Sequence, residues 1–185
     1  MPAEEETQDT HTRLITWLDA QGAPYRLIDH PPEGRTEVVS PMRGNALAQA
    51  AKCLVLIVKL GKKVTRYVLA VVPGDARVDF TAVRTLLRAS YVAFASPEIA
   101  ERLAGSVSGT VLPFSFTPDL ELLVDPTVLE NDEIYFNAAR LDRSMALATK
   151  DYLAVAHPRL ERIAIREARP GADAIEPTRN GMPSV

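Results

Sequence analysis

Apolar positions in this chain alternate between helical spacing and unbroken runs. Leu14, Ile15 and Leu18, with Trp17 beside them, fall on one face of residues 10–22, and Gly22 with Pro24 beyond it ends the pattern. This spacing predicts an amphipathic first helix. Residues 25–29 are a short strand candidate, broken by His30-Pro31-Pro32-Glu33-Gly34. Residues 36–40 and 44–49 read as two short helical pieces with Pro41 at the break. Then comes the longest apolar run, residues 50–58, which predicts a buried strand carrying a single charge, Lys52. Gly61-Lys62-Lys63 turns the chain, and residues 65–72 return as the second arm of a hairpin.

Pro73-Gly74-Asp75 stops that hairpin, and residues 79–88 fit a helix capped by Asp79. A short strand is expected at 91–95. Ser96-Pro97-Glu98 combines a capping serine, a proline in the first position and an acid near the positive end of the dipole, so a helix starts there and ends at Gly105. Residues 105–118 are a loop rich in glycine, serine and proline. Strands follow at 121–124, 133–137 and 145–149, with a last helix at 150–156. The mixture lacks a regular βαβ rhythm and predicts a mixed α/β (α+β) domain with a partly antiparallel sheet. One domain is expected over residues 10–164, between a flexible N-terminus (1–9) and a flexible C-terminal tail (165–185).

The chain has 185 residues, 46% hydrophobic and 24% charged, which suits one globular domain with a proper core. Its net charge of −3 gives no global attraction to polyanions, so any nucleic-acid contact should be local. The single cysteine excludes an internal disulfide, and no cysteine–histidine spacing suggests a metal site. The acidic start is unlike a signal peptide, and the apolar run is too short to span a bilayer. A cytoplasmic protein without metal or cofactor is the expectation.

Candidate chemistry begins with absences. His11, His30 and His157 have no serine or cysteine neighbour suggesting a nucleophilic pair, and there is neither a Gly-x-Gly-x-x-Gly nor a Walker loop. Lys52 stands at the mouth of the most apolar strand. Either its stem lies on apolar surface with the head in water, or it anchors a phosphate or carboxylate at the rim of a cavity. By alternation Lys52 shares a face with Leu54, Leu56 and Val58, and Cys53 points the other way as core filler. Gly109-Thr110-Val111-Leu112-Pro113, followed by Phe114-Ser115-Phe116, is either a plain turn or a loop whose backbone approaches a ligand. Asn137 and Ser144 flank a polar turn. Either Asn137 and Asp142 are turn residues that bond their own backbone, or Asn137 and Ser144 face the cavity of Lys52.

Taken together and in order, these residues resemble the YbaK/aminoacyl-tRNA editing domain family, also found as the insertion domain of bacterial prolyl-tRNA synthetases. The resemblance rests on Arg43-Gly44 ahead of Gln49-Ala50-Ala51-Lys52, on Gly109-x-x-x-Pro113, and on Phe136-Asn137-Ala138 with Leu141-Asp142-x-Ser144. It spans about residues 30–156, and nothing resembles a synthetase catalytic domain, so a free-standing, trans-acting member is implied. The family resemblance implies a curved, mostly antiparallel, barrel-like sheet flanked by helices, and hydrolysis of the ester joining a wrong amino acid to the terminal adenosine of tRNA. Carried over, Lys52 anchors the substrate's phosphate or polar end, and Gly109 to Pro113 hold the ester through their backbone. A water positioned by backbone groups and the neighbouring ribose hydroxyl would attack.

The substrate-binding set implied by the resemblance is His30, Arg43, Asn45, Thr110, Val111, Leu112, Phe114, Ser115, Asn137 and Ser144. Asn137, Ser115 or Ser144 would supply partners for a substrate hydroxyl. The stretches around Asn45, Phe114 and Asn137 look most like the branch that clears serine or threonine. Alternatives are clearance of alanine or cysteine, a non-catalytic member binding tRNA ends or a synthetase, and a hydrolase of free aminoacyl esters. The expected partners are the tRNA acceptor end and an aminoacyl-tRNA synthetase, with no DNA and no membrane. Arg35, Arg43, Lys59, Lys62, Lys63 and Arg66 offer a local basic rim, although Lys62-Lys63 also reads as a solvated hairpin tip.

Overall fold

A computed structural model describes residues 9–166. The first helix, α1 (Thr10–Gln21), is capped by the Asp9 carboxylate, which accepts from the Thr12 N–H, and it ends at Gly22 in the left-handed region. Then follow β1 (Tyr25–Asp29), α2 (Thr36–Met42), a 3-10 turn (Leu47–Gln49), β2 (Ala51–Leu60), β3 (Val64–Pro73), β4 (Ala76–Val78) and α3 (Phe80–Leu87). The second half holds β5 (Tyr91–Phe94), α4 (Pro97–Ala104), β6 (Leu120–Val124), a 3-10 turn (Pro126–Glu130), β7 (Glu133–Asn137), β8 (Arg143–Ala148), α5 (Thr149–Ala156), β9 (Arg159–Leu160) and β10 (Ala164–Arg166). Asp79 and Ser96 cap α3 and α4 as the sequence suggests, accepting from Ala82 N–H and Ile99 N–H.

The β2–β3 hairpin pairs in register from Ala51↔Pro73 to Leu60↔Val64 and forms the centre of a five-stranded sheet in the order β5-β2-β3-β6-β9. Both of its faces are covered, which is why the strand reads as one apolar run rather than an alternation. Cys53, Val55, Leu69 and Val71 pack with Leu14, Leu18, Phe114, Phe136 and Tyr152 on one side. Leu54, Leu56, Val58, Val68, Ala70 and Val72 pack with Val83 and Ile163 on the other. Lys52 belongs by alternation to the second series.

A separate antiparallel sheet, β1-β8-β7, sits beside this one, and β10 pairs with β4. The single curved, barrel-like sheet expected from the family resemblance is therefore corrected: there are three sheets and no closed barrel among the described residues. Two of the strand pairings, β3–β6 and β6–β9, are parallel, and an isolated bridge from Ala50, just before β2, to Tyr135 joins the chain to β7. Pro41 lies inside α2, one residue from its end, not at a break between two pieces. The proline sits in the last turn, where the helix stops at once in Arg43 and Gly44, and Gly44 has φ +76°. Strand pairing runs to Arg166, past the expected start of the tail. Residues 1–8 and 167–185 of the expected flexible ends lie outside the described residues. No helix among the described residues is long and apolar enough to cross a membrane.

Candidate active site

Strand β5 covers only Leu56 to Lys59 of the β2 edge, and the Ala95 N–H extends this by one bond to the Val55 carbonyl, 2.9 Å away. Farther back, the Ala50–Tyr135 bridge closes the other end. Between them no further strand among the described residues pairs along this edge of β2, which forms one wall of a cavity of about 240 Å³. Backbone groups on a strand alternate in direction. Because the Val55 carbonyl points to this edge, Cys53 turns its backbone N–H and C=O the same way, toward the cavity.

Lys52 borders this cavity together with Gly109 and Val111 from the loop after α4, Gly34 to Thr36 from the loop after β1, and Arg43, Phe136 and Asn137. The half-buried Lys52 also borders a second hollow of about 260 Å³, shared with Gly74, Asp75 and Arg77. The lysine thus stands at a cavity rim beside the glycine–proline loop.

Two loops make the opposite wall, and Asn137 ties them together. Its side-chain amide donates to the Glu33 carbonyl at 2.8 Å and to the Gly109 carbonyl at 3.0 Å. Asn137 is held there by β-sheet register, since it pairs across from Ser144 in the β7–β8 hairpin. The tip of that hairpin in turn accepts from the His30 and Glu33 N–H groups through the carbonyls of Asp142 and Leu141. Gly109 must be glycine at this crossing: its φ is +85°, and its backbone passes directly over Gly34.

Behind the wall lies a buried polar cluster. Ser144 Oγ receives Arg43 Nη1 at 2.9 Å and is 2.9 Å from Asn137 Oδ1. His30 Nδ1 is 2.9 Å from the Pro31 carbonyl, which only accepts, so the ring proton sits on Nδ1. In the neutral ring Nε2 then accepts the Ser144 hydroxyl at 2.7 Å. Arg43 Nε donates to Asn45 Oδ1 at 2.7 Å, and Asn45 itself donates to the Ala46 carbonyl. Arg43 is only 7% exposed, and its partners are all neutral oxygens. Burial without a carboxylate pulls its pKa down to about 10, which still leaves the guanidinium charged at neutral pH. The cavity end that Arg43 forms is therefore electropositive.

Of the other residues expected at the site, several face elsewhere. Leu112 and Phe114 are in the core, Phe114 edge-on to Trp17, Phe136 and Tyr152. Thr110 is fully buried with its hydroxyl turned back to the Val107 carbonyl at 2.7 Å. Pro113 is tethered by its carbonyl, which accepts the Tyr152 hydroxyl at 2.7 Å. The Ser115 hydroxyl lies 2.9 Å from the Thr117 carbonyl and 2.6 Å from that of Leu120, closing its own loop. His30, Asn45 and Ser144 stand behind the wall rather than on it. Lys59 and Arg66, far along the hairpin, are roughly 20 Å from Lys52 at strand spacing and do not rim this cavity. Gly34 and Thr36 were not anticipated. The signal available for them was a glycine in the His30 loop, directly before Arg35.

Cys53 borders the cavity, but its thiol is enclosed and donates to the Ala51 carbonyl at 3.5 Å. Burial pushes the thiol well up from its ordinary range, so it stays protonated and is a poor nucleophile. Among the described residues no group of three or more histidines, cysteines or carboxylates is placed to hold a metal ion. The chemistry offered is a small polar cavity with an ammonium, a guanidinium and backbone groups converging on it.

The sequence profile of the aminoacyl-tRNA editing domain matches residues 30–155, which contain every one of these elements. The chain belongs to the aminoacyl-tRNA editing domain family. Within that family it is 43% identical over 152 residues to the multifunctional Ser/Thr-tRNA deacylase ProXp-y of Escherichia coli strain K12, covering 82% of this chain and 90% of that protein. Two solved structures share the fold. A hypothetical protein, APE2540, superposes with a TM-score of 0.74 at 19% identity, over 83% of this chain and 99% of the other. A proposed trans-editing enzyme for prolyl tRNA synthetase superposes with a TM-score of 0.70 at 22% identity, over 88% and 100%.

Proposed function

We propose that this protein is a trans-acting aminoacyl-tRNA deacylase that clears serine or threonine from mischarged tRNA. One observation carries the reading: Lys52, Gly109 and Val111 border the same cavity, with no activated side-chain nucleophile among the described residues that line it. Similarity to a Ser/Thr-tRNA deacylase over most of both chains supports the choice of amino acids.

In this reading the tRNA acceptor end enters past Lys52, whose ammonium holds a phosphate or another polar group of the terminal nucleotide. The Gly109–Pro113 loop and the Cys53 backbone hold the ester, with Gly109 and Pro113 serving the reacting end through main-chain groups. Water, oriented by these groups and by the neighbouring ribose hydroxyl, adds to the ester carbonyl. The bond to the ribose oxygen then breaks, giving a free amino acid and a tRNA whose hydroxyl has regained its proton. Positioning and electrostatics supply the rate. A synthetase partner, prolyl-tRNA synthetase first, is supported by what the structural relative is named for. Val111 faces the substrate. His30, Asn45, Ser144, Thr110, Leu112, Phe114 and Ser115 act from behind the wall by fixing Arg43 and the loop.

Incubation of seryl-, threonyl-, alanyl- and cysteinyl-tRNA with the pure protein tests this. Faster loss of the seryl or threonyl ester than of the other two is expected. Binding of tRNA without hydrolysis of any ester contradicts it.

A further inference from the structure

A cavity that selects hydroxyl-bearing amino acids needs a polar group left unsatisfied by the protein, and the residues first expected to supply it are already occupied. Both N–H groups of the Asn137 amide are engaged by the Glu33 and Gly109 carbonyls, and its Oδ1 receives Arg43 Nη1 at 3.3 Å and lies 2.9 Å from Ser144 Oγ. Ser144 is bonded to His30, Arg43 and Asn137 and is fully buried, off the cavity wall. Ser115 closes its own loop away from the cavity.

Arg43 differs. A guanidinium has five N–H donors. Nε–H goes to Asn45 Oδ1 at 2.7 Å, and the two on Nη1 go to Ser144 Oγ at 2.9 Å and Asn137 Oδ1 at 3.3 Å. Nη2 reaches only the Tyr135 carbonyl, at 3.5 Å, so its second N–H has no acceptor among the described residues. The planar fork is held rigid by those neutral oxygens and borders the cavity beside apolar Val39 and Phe136. Arg43 is also the more buried of the cations on this wall: Lys52 is half-buried, and Arg35 is exposed and engaged by Glu33 at 2.9 Å.

We infer that Arg43 is the specificity-determining residue of this site. Its free Nη2–H donates to the side-chain hydroxyl of the esterified amino acid, while Val39 and Phe136 receive the extra methyl of threonine. The assignment rests on the deacylase reading and deepens it. A buried charged donor with no acceptor disfavours a substrate that lacks the hydroxyl. The same positive charge turns the substrate's α-ammonium away from this end of the cavity.

The test compares three esters on one tRNA: threonyl, valyl (a methyl in place of the hydroxyl) and 2-aminobutyryl (no hydroxyl). Wild type should cleave the threonyl ester roughly 10- to 100-fold faster than either analogue, the range of one hydrogen bond from a charged donor. Arg43→Lys should bring the three rates together by slowing the threonyl reaction alone, and Arg43→Gln serves if the lysine variant is unfolded by circular dichroism. Thr36→Val, which removes the hydroxyl side chain that lines the cavity, should keep the wild-type ratio. Equal wild-type rates on the three esters overturn the assignment while leaving the deacylase reading in place. So does an equal slowing of all three by the Arg43 variants, which marks a structural role. Wild type that cleaves none of them, nor a seryl ester on the same tRNA, overturns both.

Discussion

A Cβ placed on Gly109 would stand 2.7 Å from the Cα of Gly34, closer than real side chains approach a backbone. The two loops that form one wall of the cavity therefore cross at a point where only hydrogen fits. Gly109→Ala must shift one loop and also hold alanine at a φ of +85°. The backbone conformation alone costs about 1–3 kcal/mol. Thermal unfolding should fall by about 2–4 °C per kcal/mol lost for a domain of this size, and deacylation should fall with it. A variant with unchanged melting temperature and full activity would mean that the loops are free to separate.

Asn137 joins the same two loops to the Arg43 cluster. Asn137→Ala leaves the Glu33 and Gly109 carbonyls and one buried Arg43 N–H without a partner. Each buried group left unsatisfied costs about 1–3 kcal/mol, reduced where water enters the cavity. A loss of about 2–4 kcal/mol is expected from urea unfolding.

Glu33 accepts from both the backbone and the side chain of Arg35, and these bonds hold its carboxyl down to about 2. A depressed acid stabilises the fold above its unfolded value and loses that contribution as pH falls toward the folded one. The stabilisation is therefore present above about pH 4.5 and disappears between there and about 2. Glu33→Gln should flatten the pH dependence of the melting temperature in that window. An unchanged slope would show that the pair is broken in solution.

The legible parts of the fold were those governed by local rules. Asp79 and Ser96 cap helices because their side chains reach N–H groups three residues on, and Gly22 and Gly105 end helices because they adopt positive φ. The β2–β3 hairpin follows from two apolar runs and a tight turn. Strands β4, β9 and β10 escaped notice because two or three residues carry no period, and their pairing is decided by distant partners such as Ala76 for Arg166. The same distinction divides the site. Lys52, Gly109, Val111, Arg43 and Asn137 all reach one cavity. Which side chains of the loop from 110 to 115 face it depends on the rotation of an irregular backbone. That rotation is set by contacts such as Tyr152 to the Pro113 carbonyl, which no spacing reveals. The spare donor of Arg43 emerges only once its four neutral acceptors are located.

A mechanism built on Lys52 and main-chain groups needs no metal. Dialysis against a strong chelator should leave the deacylation rate within twofold of the untreated protein, and recovery of a lost rate on adding back zinc or magnesium would contradict this.

The most direct measurement is single-turnover hydrolysis of threonyl-tRNA by wild type and Lys52→Ala, alongside their thermal melts. Lys52→Ala should lose about 100-fold in rate, the scale expected when the substrate is no longer held in position, with its melting temperature held within a few degrees. Hydrolysis at the wild-type rate by a folded Lys52→Ala would contradict the anchoring of the terminal nucleotide by this ammonium.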